Sequence, residues 1–227
     1  MKIVILAAGI GSRLGNPYPK PMTKLNSGRR IMQQQVENLE LYFDKNDIMV
    51  VVGFKKDLVM EEYPDLTFIY NPEFDRTNTS KSLLRALYKC IGEDVLWLNG
   101  DVVFDSAILE KLQKYIKEKQ SFVAVNNSSV GEEEVKYTLN TNGFIDEISK
   151  IVKTPLGEAV GINFIASQDL SSFISSLNNC SDQDYFERGL ELSIERDAIK
   201  ILPVDISEFR CIEVDFKEDL DNANSMF

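Results

Sequence analysis

Met1-Lys-Ile-Val-Ile-Leu-Ala-Ala-Gly-Ile-Gly-Ser-Arg13-Leu-Gly-Asn-Pro-Tyr-Pro-Lys20-Pro-Met-Thr-Lys24 opens a chain of 227 residues, and the rest is read outward from it. A short apolar strand, Ile3 to Leu6, breaks at once into Gly9, Gly11 and Gly15. Glycine admits positive φ and lets the backbone approach a ligand closely. Amides exposed in such a turn can face a phosphate. From Met1 to Val36 there is no Asp or Glu, although the chain carries 36 acidic residues. By proportion about 6 belong in that window. It holds instead Lys2, Arg13, Lys20, Lys24, Arg29 and Arg30. An acidic protein that clears negative charge from its first glycine loop is expected to bind an anion there.

The totals bound the remainder. The length suits one domain, and 44% apolar residues suffice for a core. A net charge of −11 repels nucleic acid and anionic membranes, whereas a nucleotide needs only a local positive pocket. The chain has no histidine, which excludes Ser-His-Asp and Cys-His triads and His-ligated zinc. Cys90, Cys180 and Cys211 are few and far apart, as expected of reduced buried thiols. The first apolar run ends too soon for a secretory signal. No stretch reaches the ~18 uncharged apolar residues of a membrane span. The expectation is a soluble, cytoplasmic protein.

Helical spacing at residues 31, 32, 36, 39 and 43 predicts a helix over Ile31–Phe43. Strands are predicted at Ile48–Val52, Leu66–Tyr70, Val95–Asn99 and Phe122–Val125. Helices are predicted at Lys55–Glu62, Thr79–Ile91, and from an Asp105 or Ser106 cap to Lys119. This alternation predicts an α/β fold with a Rossmann-like, mixed but mostly parallel sheet and helices on both faces. Beyond Asn126 the pattern changes. A hairpin of Glu132–Leu139 and Phe144–Ile148 turns at Asn142-Gly143. A strand follows at Ala159–Ala166, then helices from a Ser167 cap to Leu177 and over Tyr185–Ile194. Short strands at Ile199–Val204 and Cys211–Val214 precede a helix from Lys217 to Met226. We read one domain, 1–227: a nucleotide-binding core over 1–125, a small β-rich acceptor lobe over 126–195, and a return to the core over 196–227.

Three constellations carry chemistry. The glycine loop is neither a dinucleotide fingerprint nor a Walker loop, but with Arg13 and Lys20 it suits a triphosphate. Asp101 and Asp215 each follow an apolar strand, and two carboxylates at one sheet edge can hold Mg²⁺. Asn71 and the run Thr77-Asn-Thr-Ser-Lys-Ser82 can cap a helix or bond a base and ribose.

In this order the pieces resemble a nucleotidyltransferase of the GT-A-like superfamily. Leu-Ala-Ala-Gly-Ile-Gly-Ser-Arg-Leu…Pro-Lys-Pro-Met is similar to its LAAGxGxRL…PKPL signature. Tyr-Asn71-Pro, Arg-Thr-Asn78-Thr-Ser-Lys-Ser82, Asn-Gly-Asp101, Gly157-Glu158, Tyr185-Phe-Glu187 and Ile-Glu213-Val-Asp215 resemble the phosphocholine and aminoethylphosphonate type of cytidylyltransferase. The resemblance implies nucleotide contacts at Leu6, Ala7, Ala8, Gly9, Gly11, Ser12, Asn78, Ser82 and Gly100. It implies catalytic charges at Arg13 and Lys20, Mg²⁺ on Asp101 and Asp215, and an acceptor facing Lys153, Glu158 and Glu187. The implied partners are a nucleoside triphosphate, CTP favoured, and a small phosphorylated acceptor, with a homodimer left open. The product would be an activated precursor of a cell-surface polysaccharide or phospholipid. A sugar-1-phosphate nucleotidyltransferase using UTP, dTTP or CTP is the second reading. A catalytically silent nucleotide-binding protein is the third.

Overall fold

The computed structural model describes residues 1–227 except Asn16, Ser129 and Glu132, and omits the side chain of Ser12. Among the described residues the chain runs β1 (Lys2–Ala7), α1 (Ile31–Glu40), β2 (Ile48–Val52), α2 (Lys56–Glu62), β3 (Thr67–Tyr70), α3 (Thr79–Leu87), β4 (Val95–Asn99) and β5 (Val102–Phe104). It continues through α4 (Ala107–Lys117), β6 (Phe122–Asn126), β7 (Lys136–Leu139), β8 (Ile145–Ser149), β9 (Gly157–Ile165), α5 (Ser167–Asn179) and α6 (Phe186–Asp197). It closes with β10 (Leu202–Asp205), β11 (Cys211–Glu213) and α7 (Lys217–Met226).

The main sheet has the order β10-β6-β9-β4-β1-β2-β3. β1 lies parallel to both β2 and β4, β2 to β3, and β10 to β6. β9 runs antiparallel to both neighbours, β4 and β6. The sheet is therefore mixed and mostly parallel, in the expected class. Alternate residues of each strand face opposite layers. Ile3, Ile5, Val50, Leu96 and Leu98 meet Met32, Val36, Leu39, Ile108 and Leu112 of α1 and α4. Val4, Leu6, Val51, Trp97 and Val123 meet Leu83, Leu87, Phe173, Phe186 and Leu190 of α3, α5 and α6. Burial on both faces explains why these strands read as unbroken apolar runs.

Several boundaries differ from the sequence expectations. α3 stops at Leu87, and the chain turns through Gly92 at φ +85°. Ser167 begins α5, but its amide is capped by Asp94 Oδ1 at 2.7 Å. Ser106 holds the N-cap position of α4 without a side-chain bond, and the Asp105 carboxylate instead clasps the Arg210 guanidinium at 2.8 and 3.0 Å. The elements of the expected lobe over 126–195 divide between the main sheet and a hairpin. β9 lies inside the main sheet, and α5 and α6 pack on its face. The β7–β8 hairpin, attached through β9, remains as an extension. Its Asn142-Gly143 turn is present, with Asn140 Oδ1 accepting from the Asn142 amide. Glu132 lies outside the described residues.

The element missing from the sequence reading is β5. It pairs antiparallel with β11 in a separate two-stranded sheet, with Val103 opposite Ile212 and Val102 opposite Glu213. This pairing brings the two ends of the chain's chemistry together.

Candidate active site

One residue beyond the Val102–Glu213 pair, the Val214 amide donates to the Asp101 carbonyl at 3.0 Å. Antiparallel register thus forces Asp101 and Asp215 to the same rim of the sheet. Two supports hold them there. Gln35 of α1, fully buried, donates from Nε2 to the carbonyls of Asn99 and Val102, both at 2.8 Å. This fixes the Asn99-Gly100-Asp101 turn from below. Asp219, in the first turn of α7, accepts from the amides of Asp215 and Phe216 at 3.0 and 2.7 Å. That carboxylate anchors the backbone carrying Asp215.

The glycine loop faces this pair. Pro19 and Pro21 flank Lys20, and Lys20–Met22 forms a short 3₁₀ turn. The Lys20 ammonium bonds Asp101 Oδ2 at 2.7 Å and also Asp215 Oδ1. Arg13 Nη1 reaches Asp215 Oδ2 at 3.2 Å, with its guanidinium over the Phe216 ring at 5.6 Å. Burial works against the charge on Lys20, yet the two aspartates outweigh it and hold its pKa above the usual lysine value. Burial likewise opposes ionisation of Asp215, but Lys20 and Arg13 prevail and lower its pKa. Gly11, at φ +64°, lies so close that a Cβ there would come 2.9 Å from Lys20 Cβ. A side chain at this position would push the loop off the lysine.

These groups line a cleft of about 290 Å³ together with Leu6, Ala7, Gly9, Gly100 and Thr79. Its far wall comes from the hairpin and α6: Glu134, Lys150, Tyr185 and Glu187. Lys150 Nζ sits 5.0 Å from the centre of the Tyr185 ring. Glu187, only 7% exposed, has its Oε2 without a hydrogen-bond partner among the described residues. Burial pushes its pKa up to about 7. Behind the aspartates, Glu213 Oε1 accepts from Asn99 Nδ2 at 3.2 Å. Removal from water, reinforced by Asp101 and Glu134, raises its pKa well above the ordinary carboxylate value. Val135, Lys150, Tyr185 and Glu187 also border a second cavity of about 930 Å³, further from the aspartates.

The sequence-predicted residues divide between these surfaces. Leu6, Ala7, Gly9, Gly11, Gly100, Arg13, Lys20, Asp101, Asp215 and Glu187 line the cleft. Ala8 is buried beside them, its carbonyl taken by the Phe54 amide at 3.0 Å. The Ser12 side chain lies outside the described residues. Asn78 and Ser82 are not in the cleft wall. Asn78 caps α3 through its side chain, and Ser82 is tied to buried Asn71 at 3.0 Å. Their hydroxyl and amide groups are spent on the fold, and Thr79 is the member of that run that reaches the cleft. Lys153 borders the larger cavity, one turn of loop beyond Lys150. Glu158 points into a separate cavity, accepting from the Gly131 amide at 2.8 Å and from Asn126 Nδ2 at 3.4 Å. Sequence reasoning passed over Lys150 and Glu134, and named Thr79 only as part of the Thr77–Ser82 run. The short spacing of Lys150 and Lys153 was the one signal for the first of these.

Two aspartates suit a divalent cation only if other ligands complete it. Among the described residues no group of three His, Cys, Asp or Glu side chains has ligand spacing. The donor chemistry nevertheless fits: both carboxylates already face a cation, Lys20, and the buried Asp101 Oδ1 has no hydrogen-bond partner among the described residues. Phosphate oxygens and water are the usual remaining ligands of Mg²⁺.

A mostly parallel sheet with a glycine loop after β1, a lysine and an aspartate pair at its carboxyl rim is the frame of a nucleotidyltransferase domain. Residues 3–176 match the MobA-like NTP transferase domain, and the chain belongs to that family. Among curated relatives it is 36% identical over 121 residues to the CMP-5'-(3-aminopropyl)phosphonate synthase of Streptomyces rubellomurinus, covering 49% of this chain and 19% of that protein. It is 32% identical over 171 residues to the bifunctional protein GlmU of Methanococcus maripaludis, covering 73% of this chain and 38% of that one. The CTP:phosphoglutamine cytidylyltransferase of Campylobacter jejuni is 29% identical, with 66% of each chain covered. The chain thus spans well under half the length of the first two. Among solved structures, the CTP:phosphocholine cytidylyltransferase of Streptococcus pneumoniae superposes with a TM-score of 0.79 at 18% identity, covering 99% of this chain and 97% of that one. The inositol-1-phosphate CTP transferase of T. maritima gives 0.82 at 17%, covering 99% and 95%. At that identity these two speak for the fold alone. No helix of the described residues is long and apolar enough to cross a membrane.

Proposed function

We propose that this protein is a cytidylyltransferase that joins CTP to a small phosphorylated or phosphonate compound and releases pyrophosphate. The observation that carries the reading is the convergence of Arg13, Lys20, Asp101 and Asp215 at the glycine loop. A silent nucleotide-binding protein would have no need to keep that set together. The cytidylyltransferases among the relatives support CTP.

The chemistry asks little of the protein beyond alignment and charge. An acceptor phosphate has a second pKa near 6, so at neutral pH its oxygen is already a nucleophile. No general base is required, which suits a chain without histidine. The acceptor oxygen attacks the α-phosphorus of CTP, a new P–O bond forms, and the bond to the β-phosphate breaks in line with it. The electron pair leaves with pyrophosphate. Lys20 and Arg13 offset the charge that builds on the leaving group. Mg²⁺, held by Asp101 and Asp215, would neutralise the negative charge shared by carboxylates and phosphates. The loop amides after β1 cradle the phosphates, and Pro21 packed beneath Gly100 keeps the lysine turn at the aspartates. Lys150 lies on the acceptor side, where it would meet the acceptor's phosphate, and Glu187 would meet a polar group further along. With a pKa of about 7, Glu187 can accept from an ammonium when ionised or donate to a hydroxyl when protonated. We favour an amine-bearing acceptor, because Glu134 and Glu187 line this side. We read the chain as one domain acting in the cytoplasm.

The LAAGxGxRL…PKPL resemblance, which sugar-1-phosphate nucleotidyltransferases share, keeps a sugar-1-phosphate acceptor as the second reading. A pyrophosphate-release screen decides: four triphosphates against phosphorylated amines, polyols and sugars, with Mg²⁺. Release with CTP and an aminated phosphate or phosphonate is the expected result. Release only with a sugar-1-phosphate and UTP or dTTP would install the second reading. No release with any pair would leave a binding protein.

A further inference from the structure

Lys20 stands where a divalent cation would stand. Its ammonium bridges Asp101 Oδ2 and Asp215 Oδ1, while Arg13 takes Asp215 Oδ2. Of the four oxygens in the carboxylate pair, Asp101 Oδ1 alone lacks a partner among the described residues. Lys20 and Arg13 together balance the charge of the two carboxylates, which weakens the pull of the pair on a metal ion. The Lys20 side chain is only 12% exposed, so solvent screens this pairing weakly.

The same lysine has a second set of partners within reach. Its backbone is fixed by Pro19 and Pro21, with the Thr23 amide bonded to the Lys20 carbonyl at 3.0 Å. Gly11 of the anion loop lies against its Cβ. The stem is therefore held, while the rotatable bonds beyond Cβ let the ammonium choose between the aspartates and an anion seated on the loop.

We infer that Lys20 is a built-in counter-ion that keeps divalent metal out of the free protein, and that a bound triphosphate opens the metal site by drawing Lys20 away. Metal and nucleotide then enter as one unit, and each raises the affinity of the other by the same factor. A site that stays closed to metal until the triphosphate arrives also keeps Lys20 poised to follow the phosphates. This inference rests on the reading of Asp101 and Asp215 as metal carboxylates. It is independent of the acceptor and of turnover.

Equilibrium dialysis of the metal-stripped protein against Mn²⁺ tests it. Without nucleotide, Lys20→Met should bind one Mn²⁺ at least tenfold more tightly than the wild type. Lys20→Arg, which keeps the charge, should resemble the wild type. Lys20→Gln repeats the charge removal with a polar side chain, and thermal melts report whether each variant is folded. Adding a non-hydrolysable CTP analogue should raise Mn²⁺ binding by the wild type at least tenfold. Adding Asp101→Asn to Lys20→Met should abolish the gained site. Wild-type protein that binds Mn²⁺ alone as tightly as Lys20→Met, with Asp101→Asn abolishing both, would overturn the inference and leave the metal pair standing. Failure of every variant to bind Mn²⁺, with or without the analogue, would overturn both.

Discussion

Replacing Glu187 with glutamine should make the protein's stability much less dependent on pH. The carboxyl is 7% exposed, and burial raises its pKa from 4.5 to about 7 in the folded state. Between those values the folded protein keeps a proton that the unfolded chain has released. Stability therefore falls as pH rises through this window. At about 1.4 kcal/mol per pKa unit, a rise of about 2.5 units corresponds to roughly 3 kcal/mol. That contribution is intact below about pH 4.5 and fully lost above about pH 7. Glutamine has the same shape and never ionises. Wild type minus Glu187→Gln should thus decline by about 3 kcal/mol between pH 4.5 and pH 8, as read from urea titrations at each pH. In thermal melts of a chain this size, the same decline is on the order of 6–12 °C. A difference that stays flat across the range would refute the burial argument. One that grows with pH would reverse its sign.

Other outcomes follow from the supports of the site. Gly161 sits at φ +69°, and a Cβ there would fall 2.5 Å from Glu213 Oε1 and 2.8 Å from Asn99 Nδ2. Gly161→Ala should lose at least about 1–2 kcal/mol in urea titrations, since the left-handed backbone alone costs an alanine that much. Gln35→Leu removes two donors and strands the carbonyls of Asn99 and Val102. It should destabilise by about 2–4 kcal/mol in the same titrations and lower kcat more than the KM for CTP. Lys150→Ala should raise the KM for the acceptor and leave the KM for CTP nearly unchanged in steady-state kinetics.

Much of this architecture was legible because its causes are local. β1, β2 and β4 are buried on both faces, so they read as unbroken apolar runs. The absence of Asp and Glu before residue 37 marked the glycine loop as the place of Arg13 and Lys20, which the structure sets against Asp101 and Asp215. What escaped depends on distant partners. β5 has three residues, Val102–Phe104, between two aspartates, and it becomes a strand only because β11, over a hundred residues later, pairs with it. Gln34 and Gln35 read as the polar face of a helix. Both are buried, because they donate to the carbonyls of Asn99, Val102 and Phe104. Asn78 and Ser82 stood ready for either a cap or a ligand; Asn78 went to the cap of α3 and Ser82 to buried Asn71. Lys150 and Lys153 differ by three residues in a loop. Which of them enters the cleft is set by how the hairpin leans on α6, which no local pattern encodes.

The central claim is that Lys20 and the aspartate pair form a phosphoryl-transfer site. It is tested most directly by Mg²⁺-dependent pyrophosphate release from CTP with an aminated phosphate acceptor. Wild type, Lys20→Ala and Asp101→Asn are to be compared, all shown to be folded by circular dichroism. Loss of one such charge at the reacting phosphates is expected to cost at least about a hundredfold in kcat. Near-wild-type release by either folded variant would contradict the account.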